Sequence, residues 1–315
     1  MTEGNVVPDS LRLPVVAAPM FLVSGPELVI AACAAGIVGS FPAPNCRTTD
    51  ELDRWLGTIG DALRTSGPAA RWALNLVTHS SNPRLAEDLR LVAEHRPPIV
   101  ITALGSPRPV MEVVKGYGGI VIADVADLRL ARKAVEAGVD GLGCVSSGAG
   151  GHTGHLSPFA FVSAVRDFFT GLVVVGGGIS DGFGVAGAIA AGADLVCMGT
   201  RFLATKESRA PEAYKRMVVD HGLDDLVVSA GITGAAASWL RPSLVANGLD
   251  PENLDASGAH RDYHPAAAHQ RWKDLWAAGQ GLETIHSVES VTTLVARLER
   301  EYRSALDRLA ARTRS

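Results

Sequence analysis

One histidine lies in a glycine-rich segment whose residue types could serve both proton transfer and ligand binding. The segment Ser146–His155 reads Ser-Ser-Gly-Ala-Gly-Gly-His-Thr-Gly-His, with His152 between glycines. Glycine lets a backbone approach a ligand closely, and histidine is the side chain most easily used as a base near neutral pH. We therefore predict a catalytic base at His152. One alternative is a histidine that only forms a hydrogen bond to a loop carbonyl. The other is a metal site formed by His152 and His155, but the segment contains no acidic or thiol side chain that could serve as a further ligand.

A second glycine-rich segment follows at Val173–Gly182, where a β-branched run passes into three adjacent glycines. Three glycines cost chain entropy on folding, so a close approach of the backbone to another group is the expected reason for them. Free N–H groups at a strand-to-helix turn form an anion site suited to phosphate. The run Leu195–Arg201 supplies a neighbouring turn with Gly199 and Thr200. We expect these two turns to hold a phosphate group.

The elements that must position these segments alternate regularly between apolar, strand-like runs and helix-like runs. The predicted strands are Pro14–Met20, Ile37–Phe41, Trp72–Val77, Ile99–Leu104, Ile120–Val125, Gly141–Ser146, Leu172–Val175 and Leu195–Met198. Continuous apolar strands are typical of a parallel sheet buried on both faces. Eight such units predict an α/β fold, a (β/α)8 TIM barrel, whose phosphate site follows strands 7 and 8 and whose active site lies on the C-terminal face. A doubly wound sheet is the alternative, but it would place its glycine turn after the first strand.

The pattern changes after Gly222, and three regions are expected. Residues 1–222 form the barrel, residues 223–268 form an irregular excursion or lid near the active site, and residues 269–315 form C-terminal helices that pack back on the barrel. Helices are predicted at Pro265–Ala278 and Val288–Leu309.

The composition excludes several classes of protein. The chain has 315 residues, 47% of them hydrophobic and 20% charged, as in ordinary globular domains. Its net charge of −4, without a basic block, argues against a nucleic-acid partner. No apolar run could span a membrane and no signal-peptide pattern opens the chain, so a cytoplasmic protein is expected. The cysteines, without CxxC spacing, are predicted to be buried reduced thiols.

Three further residues stand at predicted strand ends and could face a ligand. Asn75 carries both a donor and an acceptor, which suits the edge of a heterocycle. Asp124 could reach the same cleft or cap the following helix. Met20 has a soft thioether that can lie against an aromatic ring. Each of them could equally serve packing or a turn.

Together these segments resemble the FMN-dependent nitronate monooxygenases, formerly called 2-nitropropane dioxygenases. The resemblance runs in order over nearly the whole chain, through Ala18-Pro19-Met20, Asn75-Leu76, Gly150–Gly154, Gly176–Gly182, Met198–Thr205 and Ala278–Gly281. Its most specific part is the combination of Gly-Gly-His with Met-Gly-Thr-Arg-Phe.

The resemblance implies that FMN is the cofactor and that small-molecule nitronates and O2 are the substrates. His152 would take a proton from the neutral nitroalkane or interact with the bound nitronate. An NAD(P)H-dependent FMN reductase acting on quinones or enoyl thioesters, and a phosphate-binding barrel without flavin chemistry, stay open as alternatives, as does a homodimer. The implied FMN contacts are Ala18, Pro19 and Met20 along the ring, Asn75 and Asp124 beside it, Gly150 and Gly151 at its tail, Gly176, Gly177, Gly178, Gly199 and Thr200 at its phosphate, and Gln280 from the C-terminal loop.

Overall fold

A closed barrel of eight parallel strands forms the centre of the molecule. The computed structural model describes residues 11–64, 71–254 and 273–313. The strands, numbered along the chain, are β1 Val15–Ala17, β2 Val38–Pro42, β3 Trp72–Val77, β4 Ile99–Ala103, β5 Ile120–Val125, β6 Gly141–Val145, β7 Gly151–His152, β8 Leu172–Gly176, β9 Leu195–Met198, β10 Leu226–Ser229 and β11 Ala237–Leu240. The barrel order is β1-β2-β3-β4-β5-β6-β8-β9, and β9 pairs with β1 to close it. The predicted TIM barrel is confirmed.

Helices follow the barrel strands and cover the outside of the sheet. They are α1 Pro26–Ala34, α2 Thr49–Leu63, α3 Leu85–His95, α4 Arg108–Gly116, α5 Leu128–Glu136, α6 Pro158–Arg166, α7 Gly182–Ala190, α8 Thr200–Leu203, α9 Glu212–Asp220, α10 Arg241–Ala246 and α11 Val291–Thr313. Side chains that accept a hydrogen bond from a first-turn amide fix the start of several of them. The cap residues are Thr48, Asp127, Ser157 and Asp181. No described helix is long and apolar enough to cross a membrane.

The first strand is shorter than the predicted Pro14–Met20. Its ladder ends at Ala17 because Pro19 has no N–H to donate and the Met20 amide bonds instead to the Ser24 hydroxyl at 3.0 Å. The chain therefore turns away from the barrel at this point and carries Met20 across the mouth.

Strand alternation decides which residues face the barrel interior. One apolar cluster fills the interior and includes Val38, Ala73 and Ile122, while a larger cluster packs the outer strand faces against the helices. Residues two positions further along these strands share the inward direction. Ser40, Asn75 and Asp124 therefore face the interior at its C-terminal end.

The segment after Gly222, predicted to be irregular, contains regular structure. Strands β10 and β11 form an antiparallel hairpin, and β11 also pairs with β7, which gives a small three-stranded sheet beside the barrel. The predicted helix Pro265–Ala278 lies partly outside the described residues. Its described end is helical only at Lys273 and Asp274, because Trp276 and Ala277 extend along the edge of β11 and pair with it.

The last helix, α11, packs against α7. A Cβ built on Gly182 would overlap the backbone of Leu298 and Tyr302, and the Gly182 amide donates to Glu301 at 2.9 Å. The small residues of α7 thus serve a close contact between two helices. All four cysteines are unpaired, three of them buried and Cys197 half-buried.

Candidate active site at the barrel mouth

The first group of predicted residues lies where β1 and β9 end side by side. The Ala18 amide still donates to a β9 carbonyl at 2.9 Å. A Cβ built on Gly199 would lie 3.6 Å from the Met20 sulfur and 3.7 Å from the Ala18 Cβ. Pro19 lies half-buried between them. The Asn45 side chain donates to the Met20 carbonyl at 3.1 Å and holds this turn in place.

The glycine turn after β8 requires glycine for conformational reasons. Gly177 has φ +151° and Gly178 has φ +67°, where side chains are rare. A Cβ on Gly177 would lie 2.5 Å from the Ser147 carbonyl oxygen. Gly176 abuts β9, where a Cβ would lie 3.2 Å from the Cys197 oxygen. The turn is therefore pressed against the loop that precedes His152.

Backbone hydrogen bonds join this turn to the C-terminal loop. The Gly148 carbonyl accepts from the Gly178 amide at 3.0 Å and from the Gln280 amide at 2.8 Å. The Gly178 amide is thus engaged inside the protein, so other groups must hold an anion bound at this turn.

A third set of contacts brings the turn after β9 into the same cluster. The Thr200 hydroxyl accepts from the Gly279 amide at 2.9 Å, which leaves its own hydrogen available for donation. A Cβ on Gly150 would lie 2.6 Å from the Gly279 nitrogen, and one on Gly279 would lie 2.6 Å from the Gly148 oxygen. Glycine is needed in these loops because their backbones touch each other.

His152 is placed by the small sheet beside the barrel. It lies in β7 opposite Ala237 of β11, and the next residue, Thr153, donates from its hydroxyl to the Ser146 carbonyl at 3.1 Å. His152 is half-buried, whereas His155 is exposed. The loop that carries His152 is therefore fixed by β11 at one end and by the glycine turn at the other.

Asn75 and Asp124 face the barrel interior in different environments. Asn75 is 6% exposed, and its Nδ2 donates to the Ile101 carbonyl at 3.3 Å. Asp124 lies opposite Gly143, where a Cβ would overlap its Oδ1 atom. Burial raises the pKa of the Asp124 carboxyl to about 7. A raised pKa favours the protonated, neutral form of this carboxyl.

A buried charge cluster that the sequence did not reveal lies beside Thr200. Arg201 is 1% exposed and contacts Glu289 at 2.5 Å, and Arg297 contacts the same carboxylate oxygen at 2.7 Å. The Arg201 Nε and Nη1 atoms have no hydrogen-bond partner within the described part of the chain. Two cations therefore share one carboxylate. Arg201 stands within a quoted motif, but nothing in the sequence pointed to Glu289.

Tyr214 holds a loop of the candidate site in place, and the sequence analysis did not identify it. Its hydroxyl donates to the Ala277 carbonyl at 2.5 Å and accepts from the Ala277 amide at 2.9 Å. Its ring stacks on Trp276 with centroids 4.9 Å apart. Helix α9 thereby fixes the loop that leads to Gln280.

A cavity of about 300 Å³ borders the outer side of the glycine turn. Its walls include Val175, Phe159 and Ala188. Because Val175 packs with the residues between sheet and helices, the cavity lies between β8, α6 and α7 and not inside the barrel.

The sequence of the whole barrel matches that of a known family. The family model described as nitronate monooxygenase matches residues 9–301. The chain belongs to the nitronate monooxygenase family. Members of this family are oxidoreductases. A nitronate monooxygenase of Paraburkholderia phytofirmans is 28% identical, with 94% of each chain covered.

Another relative has a different name. The (3aS,4S,5R,7aS)-5-hydroxy-7a-methyl-1-oxo-octahydro-1H-indene-4-carboxyl-CoA dehydrogenase of Mycobacterium tuberculosis is 31% identical, covering 80% of this chain and 68% of that protein. Among solved structures, the nitroalkane oxidase of Streptomyces ansochromogenes aligns with TM-score 0.82 and 24% identity, covering 97% and 100% of the two chains. FabK of Thermotoga maritima aligns with TM-score 0.79 and 24% identity, covering 97% of each chain. These structural likenesses establish the common fold.

Proposed function

We propose that this protein binds FMN at the barrel mouth and oxidises alkyl nitronates with O2, with His152 as the active-site base. The hydrogen bonds of the loop before His152 are the main support for this proposal. The segment that contains His152 is hydrogen-bonded through Gly148 to both Gly178 and Gln280, so the imidazole and the predicted phosphate turns belong to one connected structure. Bound FMN would supply the electron transfer between nitronate and O2.

The groups present at the mouth fit a flavin mononucleotide. Ala18, Met20 and Gly199 form an apolar, low-relief surface suited to a flat ring. The Thr200 hydroxyl accepts from the Gly279 amide and can donate its own hydrogen to a phosphate. The amide of Asn75 donates to a strand carbonyl and keeps its oxygen as an acceptor for a ring N–H.

The chemistry assigned to His152 is a proton transfer. Its imidazole would take the proton from the carbon that bears the nitro group, which leaves a nitronate anion. The imidazolium formed in this way attracts that anion and holds it in place. A half-buried position limits the water around the ring without sealing it.

The runner-up function is an NAD(P)H-dependent FMN reductase acting on quinones or enoyl thioesters. The relative named as a carboxyl-CoA dehydrogenase supports a thioester substrate for this alternative. It would use the same barrel mouth and the same cofactor, so only the second substrate distinguishes the two functions.

A pair of assays on the purified protein tests both proposals. We expect a yellow protein that releases FMN on denaturation, consumes O2 when an alkyl nitronate is added, and is bleached slowly or not at all by NADPH under anaerobic conditions. Rapid bleaching by NADPH with no response to the nitronate would support the reductase. A colourless protein that cannot be loaded with FMN would overturn both.

A further inference from the structure

One carboxyl at the barrel mouth lacks the partner that its neighbours have. Of the polar side chains that face the interior at this level, Ser40 donates to the Ala17 carbonyl at 2.5 Å and Asn75 donates to the Ile101 carbonyl at 3.3 Å. Within residues 11–64, 71–254 and 273–313, the Asp124 carboxyl makes no hydrogen bond and no ion pair. Polar groups inside a protein are normally satisfied, and this half-buried carboxyl has no protein partner within these ranges.

The surroundings of Asp124 offer space and no compensating charge. Gly143 stands opposite on β6, and the carboxyl occupies the volume that a side chain there would fill. The nearby titratable groups on the described strands are the thiols of Cys144 and Cys197. Burial, with the Asp124 charge as a further cause, raises the pKa of each thiol to about 12. The raised pKa values favour the neutral form of both thiols, and Gly143 on the adjoining strand β6 has no side chain.

The position of Asp124 relates it to the proposed cofactor. Cys197, whose thiol pKa is raised partly by the Asp124 charge, packs against the interior cluster. It lies two residues before Gly199, where a Cβ would lie 3.6 Å from the Met20 sulfur and 3.7 Å from the Ala18 Cβ. Because Asp124 and Cys197 both face the interior, we infer that the carboxyl lies on the interior side of the surface to which we assign the flavin ring. A reduced flavin bound here would bring additional negative charge near an unpaired carboxylate, and like charges close together favour proton uptake.

We propose that the Asp124 carboxylate takes up a proton when the bound flavin is reduced and returns it when the flavin is oxidised. The inference rests on the proposed FMN site. In a titration with a chemical reductant such as dithionite, two electrons and one proton enter the flavin. One further proton, taken from water, forms an O–H bond on a carboxylate oxygen of Asp124, and reoxidation breaks that bond.

The midpoint potential of the FMN-loaded protein, measured from about pH 5 to about pH 9, tests the proposal. Each additional proton taken up with two electrons adds about 30 mV per pH unit to the slope, because a pH unit is a tenfold change in proton concentration. We expect this extra slope in the native protein above about pH 7, in line with the raised pKa of this carboxyl. Asp124→Asn should remove it.

Asp127→Asn is the matched control. This substitution removes the same charge three residues away, at the N-cap of α5. An asparagine there can still accept the hydrogen bond from the Leu130 amide. We expect the slope of this variant to equal that of the native protein. If Asp127→Asn removed the extra slope as well, the effect would be a general one of charge, and the proposal would be overturned.

Two outcomes separate this inference from the proposed function. Flavin-loaded native protein and Asp124→Asn with identical slopes would overturn the role of Asp124 and leave the FMN site intact. A protein that binds no flavin would overturn both. If Asp124→Asn does not retain FMN, the variant Gly143→Ala is used instead, because the new Cβ of residue 143 must displace the Asp124 carboxyl. The extra slope should then move to another pH range, and an unmoved slope would contradict the proposal.

Discussion

The hydroxyl of Thr200 accepts a hydrogen bond from the backbone amide of Gly279 at 2.9 Å, across 79 residues of sequence. This bond fastens the turn after the last barrel strand to the loop that carries Gln280. Gln280 in turn donates to Gly148, in the loop that leads to His152. Three segments that are distant in sequence therefore form one unit at the barrel mouth, and its stability should determine how well a phosphate-bearing cofactor is held.

Thr200→Val should weaken FMN binding. The substitution keeps the shape of the side chain but removes a donor to the phosphate and leaves the Gly279 amide without its acceptor. A hydrogen bond to a charged group contributes about 1.5–3 kcal/mol, so the Kd for FMN should rise roughly 10- to 100-fold. Flavin fluorescence titration measures it. Thr200→Ser retains the hydroxyl and should bind nearly as the native protein does, while native affinity in the valine variant would contradict the assignment.

His152→Ala should abolish proton abstraction without releasing FMN. Loss of a general base typically lowers turnover by roughly 10²–10⁴-fold, here measured as O2 consumption with a neutral nitroalkane. A substrate supplied as the preformed nitronate needs no base and should lose less. His155→Ala changes the same residue type in the same loop at an exposed position and should leave turnover unchanged. If His152→Ala and His155→Ala lost turnover equally, the loss would come from disturbance of the loop and not from the missing base.

Gly177→Ala should yield protein purified with little or no flavin. The residue has φ +151° and its new Cβ would lie 2.5 Å from the Ser147 carbonyl oxygen, so the turn must move. Gly60→Ala is the matched substitution, at an exposed helical site with no atom within 4 Å of the new Cβ, and it should raise stability by about 0.4–1 kcal/mol. The ratio of flavin to protein absorbance reports the first effect, and a native ratio in Gly177→Ala would refute it.

Glu289→Gln should destabilise the fold more than Arg297→Gln does. Arg201 is 1% exposed, so removal of the carboxylate leaves a buried guanidinium without a counter-ion, which costs about 3–5 kcal/mol. Arg297 is 30% exposed, and its loss leaves the Arg201–Glu289 pair intact, at a cost of about 1 kcal/mol. Urea unfolding compares the two free energies, and an equal or reversed order would show that water screens the cluster.

The contribution of Asp124 to the stability of FMN-free protein should decrease as the pH rises from about 4 to about 7. Burial raises the pKa of Asp124 to about 7 in the folded state, against about 3.9 in an unfolded chain. In this window the native state holds more protons than the unfolded state, so the free energy of unfolding falls with increasing pH.

Asp124→Asn should remove that decrease. The variant should be more stable than the native protein at pH 8 by on the order of 4 kcal/mol and nearly equal to it below about pH 4. Asp127→Asn serves as the control and should follow the native pH dependence. A parallel pH profile for native protein and Asp124→Asn would show that this carboxyl is not held in its protonated form.

The sequence by itself determined the barrel, because the signals for it are local. Apolar β-branched runs and amphipathic runs carry their own periodicity, and the predictions for the strands Trp72–Val77 and Ile120–Val125 agree with the structure to the residue. The motifs around His152 and Gly199 also identified the family. Patterns of this kind need no knowledge of distant contacts.

Only the tertiary structure decided what the glycines and charges do. Gly150 and Gly279 are required because two loops press their backbones together, and Gly182 because α11 crosses it. The small sheet that holds His152 pairs β7 with β11, two short strands whose partners lie far along the chain. Glu289 reaches Arg201 across 88 residues, and the pKa of Asp124 is raised because folding places this carboxyl inside the barrel without a partner among the described residues. Each of these effects depends on which residues meet in space, and sequence periodicity does not encode that.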